Sequence, residues 1–210
     1  MCSSDLVTLN TQVRVQSRSG SVLSTVSLGS FWNSTGAAGV FDPKIIYDPF
    51  GARWIFVALS NSRSANSSVL LGVSQTSDPT GTWFLDRFDT DAANVNWADY
   101  PSLGFNKDWI AISLNMFANS NDAFTGYKIL LATKSEAYAN TLATVREFLP
   151  PPADPAGFTL VPATTYDNSL ATLYLVDTGW SNSVVIFNRI STITGAIGAE
   201  SGIALTGDMP

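Results

Sequence analysis

A short pattern recurs three times in this chain: a Pro, three residues, an aromatic, then Asp or Asn. The copies are Pro43-Lys-Ile-Ile-Tyr47-Asp48, Pro101-Ser-Leu-Gly-Phe105-Asn106 and Pro162-Ala-Thr-Thr-Tyr166-Asp167, spaced 58 and 61 residues apart. Near-constant spacing of this size marks a repeat architecture, in which each unit buries its apolar face against its neighbours.

Strand signals follow each copy in fours. In the first repeat they cover Lys44–Asp48, Arg53–Leu59, Ser68–Gln75 and Trp83–Phe88, separated by turns rich in Asp, Pro, Gly, Asn and Ser. The second gives Ser102–Asn106, Trp109–Phe117, Tyr127–Lys134 and Ala143–Leu149, with one helical turn over Ser135–Asn140. The third, after a Pro-rich connector over 149–157, gives Ala163–Asp167, Thr172–Thr178, Ser183–Ser191 and Ile197–Leu205. Ahead of them, 12–32 reads as a hairpin turning at Ser17–Ser21.

Four antiparallel strands per unit, head to tail, predict an all-β chain: a β-propeller fragment of about three four-stranded antiparallel blades plus a preceding hairpin. The hairpin at 12–32 is half a blade, and the blades span 40–90, 97–149 and 158–207. A β-sandwich also has short strands and frequent turns, but it has no reason to repeat Pro-x-x-x-aromatic-Asp at this spacing. Three and a half blades do not close a ring. Residues 7–210 are therefore expected to be an incomplete propeller, with its remaining blades elsewhere in the same chain, open strand edges and a tendency to self-associate. Cys2-Ser-Ser-Asp-Leu6 looks like the translation of a sequencing-library adapter, so 1–6 are expected to be a non-native leader outside the fold.

Composition narrows the function. Eleven Lys and Arg, scattered in a chain of net charge −6, exclude nucleic acid as a partner. No apolar run reaches the eighteen or so residues of a membrane helix. A polar fraction dominated by Ser, Thr and Asn suits the cell exterior, although no signal peptide is visible. With no His and one Cys there is no Ser-His-Asp triad, no disulfide and no zinc site. No cofactor is implied. Calcium could be offered oxygens only by Asp89-Thr-Asp91 and Asn119-Ser-Asn-Asp122, which lack the spacing of a calcium loop.

Two carboxylates are the catalytic candidates. Asp42 and Asp99 each precede the innermost strand of a blade, where loops converge on the mouth of a propeller channel. A pair of acids there could serve glycoside cleavage, although capping of the turn is the more economical role. Trp97, Tyr100 and Trp180 lie in polar, loop-like surroundings and are the candidates for contact with a carbohydrate or protein ligand. Trp54 and Trp109, in apolar runs, are expected to pack.

Two resemblances sharpen this. Thr76-Ser-Asp78-Pro-Thr-Gly81-Thr-Trp83 resembles the Asp box of sialidases, with its Gly one place late, and falls between the third and fourth strands of its blade. The resemblance implies a structural staple: Asp78 accepts N–H bonds, Gly81 takes a positive φ and Trp83 packs under the turn. The Asp-Pro ahead of a strand resembles arabinanase- and invertase-like glycosidases, but their acidic Glu has no counterpart here. Taken with Trp97-Ala-Asp99-Tyr-Pro and Asn115-Met-Phe117, the chain is similar to large bacterial propeller proteins that are secreted or held at the cell surface. That likeness implies location and fold and assigns no catalytic residue. It leaves a non-catalytic binding or scaffolding module as the leading expectation, with a glycoside hydrolase as the alternative.

Overall fold

The computed structural model describes residues 4–149, 158–181, 184–194 and 204–208. The chain is all-β, with four antiparallel sheets, two short α-helices and one 3-10 turn among the described residues. Sheet 1 holds β1 (Ser4–Thr8), β2 (Gln12–Ser17) and β3 (Val22–Ser27). Sheet 2 holds β4 (Phe41–Asp48), β5 (Arg53–Ser60), β6 (Ser68–Ser74) and β7 (Trp83–Asp89). Sheet 3 holds β8 (Asn96–Phe105), β9 (Trp109–Ala118), β10 (Phe124–Thr133) and β11 (Arg146–Phe148). Sheet 4 holds β12 (Phe158–Pro162), β13 (Leu173–Ser181), β14 (Val184–Ile193) and β15 (Ala204–Asp208). In each sheet the strands are neighbours in chain order, as a meander requires.

The chain divides into two compact units, Met1–Pro101 with Ala118–Asp122, and Ser102–Phe117 with Ala123–Pro210. In the first, sheets 1 and 2 pack face to face. Alternation along β2 sends Val13 and Val15 inward, where they meet Trp54, Phe56 and Ala58 of β5. Helix α1 (Leu28–Phe31), capped by the Ser27 hydroxyl on the Ser30 N–H, brings Phe31 and Trp32 against Phe56 at ring-centre distances of 4.9 and 5.0 Å. In the second unit, Trp109, Tyr127 and Ile129 of sheet 3 pack with Leu160, Leu173 and Leu175 of sheet 4. Trp54 and Trp109 are both buried, as their apolar runs imply. No helix among the described residues is long and apolar enough to cross a membrane.

The last residue of the repeated pattern does the same work three times. Asp48 Oδ1 accepts the Phe50 N–H (2.9 Å), Asn106 Oδ1 accepts those of Asp108 (2.9 Å) and Trp109 (2.8 Å), and Asp167 Oδ1 accepts that of Ser169 (2.8 Å). Each closes a turn by standing in for a backbone carbonyl.

The structure departs from the sequence expectations in four places. Residues 4–6, part of the stretch 1–6 expected to lie outside the fold, join 7 and 8 in β1, because Leu6 alternates into the same core as Val13 and Val15. Leu28–Phe31 turns as a helix instead of extending the hairpin to Trp32. Gly81 does not have a positive φ; the turn closes through its N–H on the Asp78 carbonyl. The inner strand of the third repeat lies at 158–162 rather than 163–167. There the backbone leaves sheet 4 after Pro162 and forms a parallel bridge from Thr164 to Phe105. The approach is possible because Gly104 stands where the first repeat has Ile46. The connector at 150–157 and most of the expected strand at 197–205 lie outside the described residues.

A Cβ added at Gly104 would stand 2.5 Å from the Ala163 oxygen and 2.6 Å from that of Pro162, both backbone atoms. Gly104→Ala should therefore destabilise the second unit by about 1–3 kcal/mol, the usual cost of overpacking. Denaturant unfolding of the variant checks this, and an unchanged midpoint would refute the close approach.

Candidate functional site

The inner strand β4 is interrupted by a bulge, its register with β5 slipping between Phe41 and Lys44. Asp42 sits in that bulge with φ at 49°, a left-handed conformation rare outside Gly. The bulge frees its N–H from the ladder, and Asn10 Oδ1 accepts it at 2.7 Å. Tyr100, in β8, has φ at 51°, and the carboxylate of its neighbour Asp99 accepts its N–H. The second unit repeats the device: Thr159 has φ at 63° in a bulge of β12, and Asn115 Oδ1 accepts its N–H at 2.9 Å. Left-handed non-Gly residues cost of order 1–3 kcal/mol each and gather at functional sites. In all three inner strands a side-chain oxygen holds the strained residue in place.

In the first unit the bulge at Asp42 and the inner strand β8 bring two carboxyls, Asp42 and Asp99, near each other. Partial burial is the largest cause pushing the Asp99 carboxyl above the usual range; the Asp42 charge adds to it, while the Tyr100 N–H and the Arg63 charge oppose it. Beside Asp42 lies a pocket of about 290 Å³ lined by Thr8, Leu9, Asn10, Asp42, Pro43, Lys44 and Tyr100. Lys44 Nζ stands 5.2 Å from the centre of the Tyr100 ring, and that ring is 49% exposed. The pocket thus offers an exposed aromatic ring, one cation, an amide and one carboxylate, that of Asp42.

Arg63 braces the other side of Asp99. Its Nε donates to Asp122 Oδ2 at 2.8 Å, and its guanidinium lies 5.0 Å from the centre of the Trp97 ring. The Trp97 Nε1–H donates to Asp122 Oδ1 at 3.0 Å. The Arg63 hydrogen bond, with lesser help from Trp97, holds the Asp122 carboxyl below its ordinary value.

The structure brings Asp42, Asp99 and Tyr100 together and leaves the other ligand candidates apart. Trp97 is only 4% exposed and lies in β8; the loop-like surroundings expected for it do not exist, and its indole is spent on Arg63 and Asp122. Trp180 lies in β13, with its side chain outside the described residues. In the turn at 76–83, Asp78 Oδ1 accepts the Thr80 N–H at 2.9 Å and hydroxyl at 2.7 Å, Thr76 Oγ1 accepts the Asp78 N–H, and Trp83 packs against Phe31, while Gly81 lacks the positive φ expected of it. The carboxylates offered for calcium are already occupied. Asp122 holds Arg63 and Trp97, and Asp91 accepts N–H groups of Ala93, Val95 and Asn96. Among the described residues no cluster of three or more Cys, Asp or Glu is placed to hold a metal ion.

Asn10, Lys44 and Arg63 are the site residues that sequence reasoning missed. The bulges carry no sequence signature, so nothing marked Asn10 as the partner of Asp42. Arg63 lies in a Ser- and Asn-rich turn, Asn61-Ser-Arg63-Ser-Ala-Asn66, that reads as simple connection.

No family model matches the sequence, and no curated protein sequence matches it. Among solved structures, a tryptophan-to-alanine mutant of Synechocystis apocarotenoid oxygenase is similar over 96% of this chain, with a TM-score of 0.52 and 12% sequence identity. This chain spans 46% of that one, about half its length. At that identity the likeness concerns the fold.

The position of Asp99 makes a prediction about pH. Its folded pKa lies above the unfolded value, so the stability linked to it is full in acid and is lost as pH rises through the raised value. Asp99→Asn should raise the thermal midpoint at pH 7, and the gain should vanish once pH falls below about 3.9, the ordinary Asp value. A variant less stable than the parent at pH 7 would show the carboxylate to be structural instead.

Proposed function

We propose that this chain is part of a β-propeller exposed on the outside of a bacterial cell, where the pocket at Asp42, Asp99 and Tyr100 binds a carbohydrate or protein ligand without cleaving it. The propeller assignment rests on successive four-stranded meanders and on the fold likeness to an oxygenase that is itself a propeller. The cellular location rests on composition and on the sequence resemblance.

The observation that carries binding over hydrolysis is the lining of the pocket, where Asp42 stands beside the exposed Tyr100 ring. Glycoside cleavage needs a pair of acids flanking the bond, about 5–5.5 Å apart for retention or about 6.5–9.5 Å for inversion. Of the two carboxyls only Asp42 lines the pocket. Its oxygens make an anchor for sugar hydroxyls, which donate to them. The exposed Tyr100 ring adds a stacking face, and Lys44 and Asn10 add further donors beside it. The raised pKa of Asp99 is what favours the hydrolase reading, because it suits a proton donor.

Glycan-array binding separates the two. Tyr100→Ala should weaken a positive signal about threefold to tenfold, the worth of one aromatic contact. The parent chain should release no sugar from the glycans it binds. Release that Asp99→Asn abolishes would make the protein a hydrolase, and binding indifferent to Tyr100→Ala would place the ligand elsewhere.

A further inference from the structure

The pocket beside Asp42 holds more donors than the protein uses. Thr8, Asn10 and Lys44 all line it, and each can donate a hydrogen bond. Asn10 gives its Oδ1 to the Asp42 N–H at 2.7 Å, which fixes the amide and leaves its NH2 group without an acceptor among the described residues. Lys44 is exposed, and its ammonium has neither a hydrogen bond nor an ion pair among the described residues. Its neighbour is the Tyr100 ring, whose centre lies 5.2 Å from Nζ. At an exposed site that contact is a weak hold, and Nζ keeps its N–H groups for an acceptor. Against these donors the lining sets one carboxylate, Asp42, with Asp99 near it.

Charge decides among the ligands such a pocket can take. A neutral sugar gives hydroxyls to Asp42 but leaves the Lys44 ammonium to water. A cationic ligand meets Lys44 inside the pocket. A compact, multiply charged anion such as phosphate meets the carboxylate of Asp42, with that of Asp99 near it. A ring with hydroxyls on one side and a single carboxylate on the other matches both halves of the lining. At about 290 Å³ the pocket lies at the small end of ligand sites, which suits one sugar ring. No arginine lines it, so the ligand's carboxylate meets a point charge and an amide instead of a guanidinium fork.

We propose that the pocket selects a hexuronate residue of an acidic glycan, a sugar whose terminal carbon is a carboxylate. That carboxylate accepts from Lys44 Nζ and from the Asn10 amide. The ring hydroxyls donate to Asp42, and the C–H surface of the sugar meets the open part of the Tyr100 ring, which is 49% exposed. Repulsion from Asp42 and Asp99 keeps the carboxylate off their side of the pocket, so charge sets the orientation as well as the preference. The inference rests on the reading of this pocket as a glycan site and adds to it the charge class of the sugar.

Isothermal titration calorimetry of the 210-residue chain with trigalacturonate, its methyl ester and the neutral galactose trimer tests it. The acid should bind about threefold to fivefold more tightly than the ester, the scale of one solvent-exposed ion pair. In about 1 M salt, where charges are screened beyond about 3 Å, that difference should close. Lys44→Gln should bring acid and ester to the same affinity, Lys44→Arg should restore the preference, and Tyr100→Ala should weaken both while keeping their ratio. The comparison on the parent chain needs no variant, so it stands whatever Lys44→Gln does to folding. Equal affinity of the parent for acid and ester, or a preference that persists in Lys44→Gln, overturns the inference and leaves glycan binding at the pocket intact. Failure of all three sugars to bind, or binding indifferent to Tyr100→Ala, removes the glycan reading of the pocket and this inference with it.

Discussion

Burial on both faces of the central strands governs where chemistry can occur in this chain. Every residue of β6 is buried, as are all but the first residue of β5, eight successive residues of β9 and eight of β10. Strands covered on both faces are largely apolar and present neither face to a ligand, and the polar residues they do carry, such as Asn115 of β9 and Lys128 of β10, are paired. Most polar groups are therefore displaced to the inner strands, the outer strands and the turns. The candidate site follows that division: Asp42 and Asp99 lie on the inner strands β4 and β8.

Within that constraint, the bulge turns an inner strand into a site. A regular ladder would spend the Asp42 N–H on β5 and alternate its side chain with the rest. The extra residue releases the N–H, twists the strand and redirects the carboxyl toward Asp99. The cost of the left-handed backbone is offset by a bond from a side-chain oxygen, Asn10 at Asp42 and Asn115 at Thr159. Asp99 does the same for Tyr100 while lying near enough to Asp42 to feel its charge. One carboxyl thus holds the exposed ring beside it and responds to its neighbour, which couples the shape of the pocket to its charge.

Much of the fold was legible in the sequence because it is written in period-two apolar runs and turn chemistry, both local signals. Strands β5, β6, β7 and β9 fall within two residues of where Arg53–Leu59, Ser68–Gln75, Trp83–Phe88 and Trp109–Phe117 place them. The third inner strand was misplaced because its position depends on Gly104, sixty residues away, which no local pattern reports. The helical turn at Leu28–Phe31 was hidden in an apolar run equally consistent with a strand. For the site, Asp42, Asp99 and Tyr100 could be picked out from their place next to the repeated Pro, although Asp42 lies within β4, and Asp99 and Tyr100 within β8, rather than ahead of a strand. Asn10 and Arg63 could not, since their roles arise only from the bulge at Asp42 and from the turn that places Asp122. Trp97 misled because its polar neighbours in sequence are not its neighbours in space.

The three turns closed by Asp48, Asn106 and Asp167 show what repetition protects. In the third repeat the strand ahead of the turn has moved, yet the Asp167 carboxylate still binds the N–H two residues on. The turn is insulated from the register of the strand that feeds it, because every atom it needs lies within a few residues of itself. A duplicated unit can therefore gain or lose residues upstream and diverge in its pairing while still reversing direction at the same place. Such punctuation lets inherited copies drift apart in sequence without losing the path of the chain.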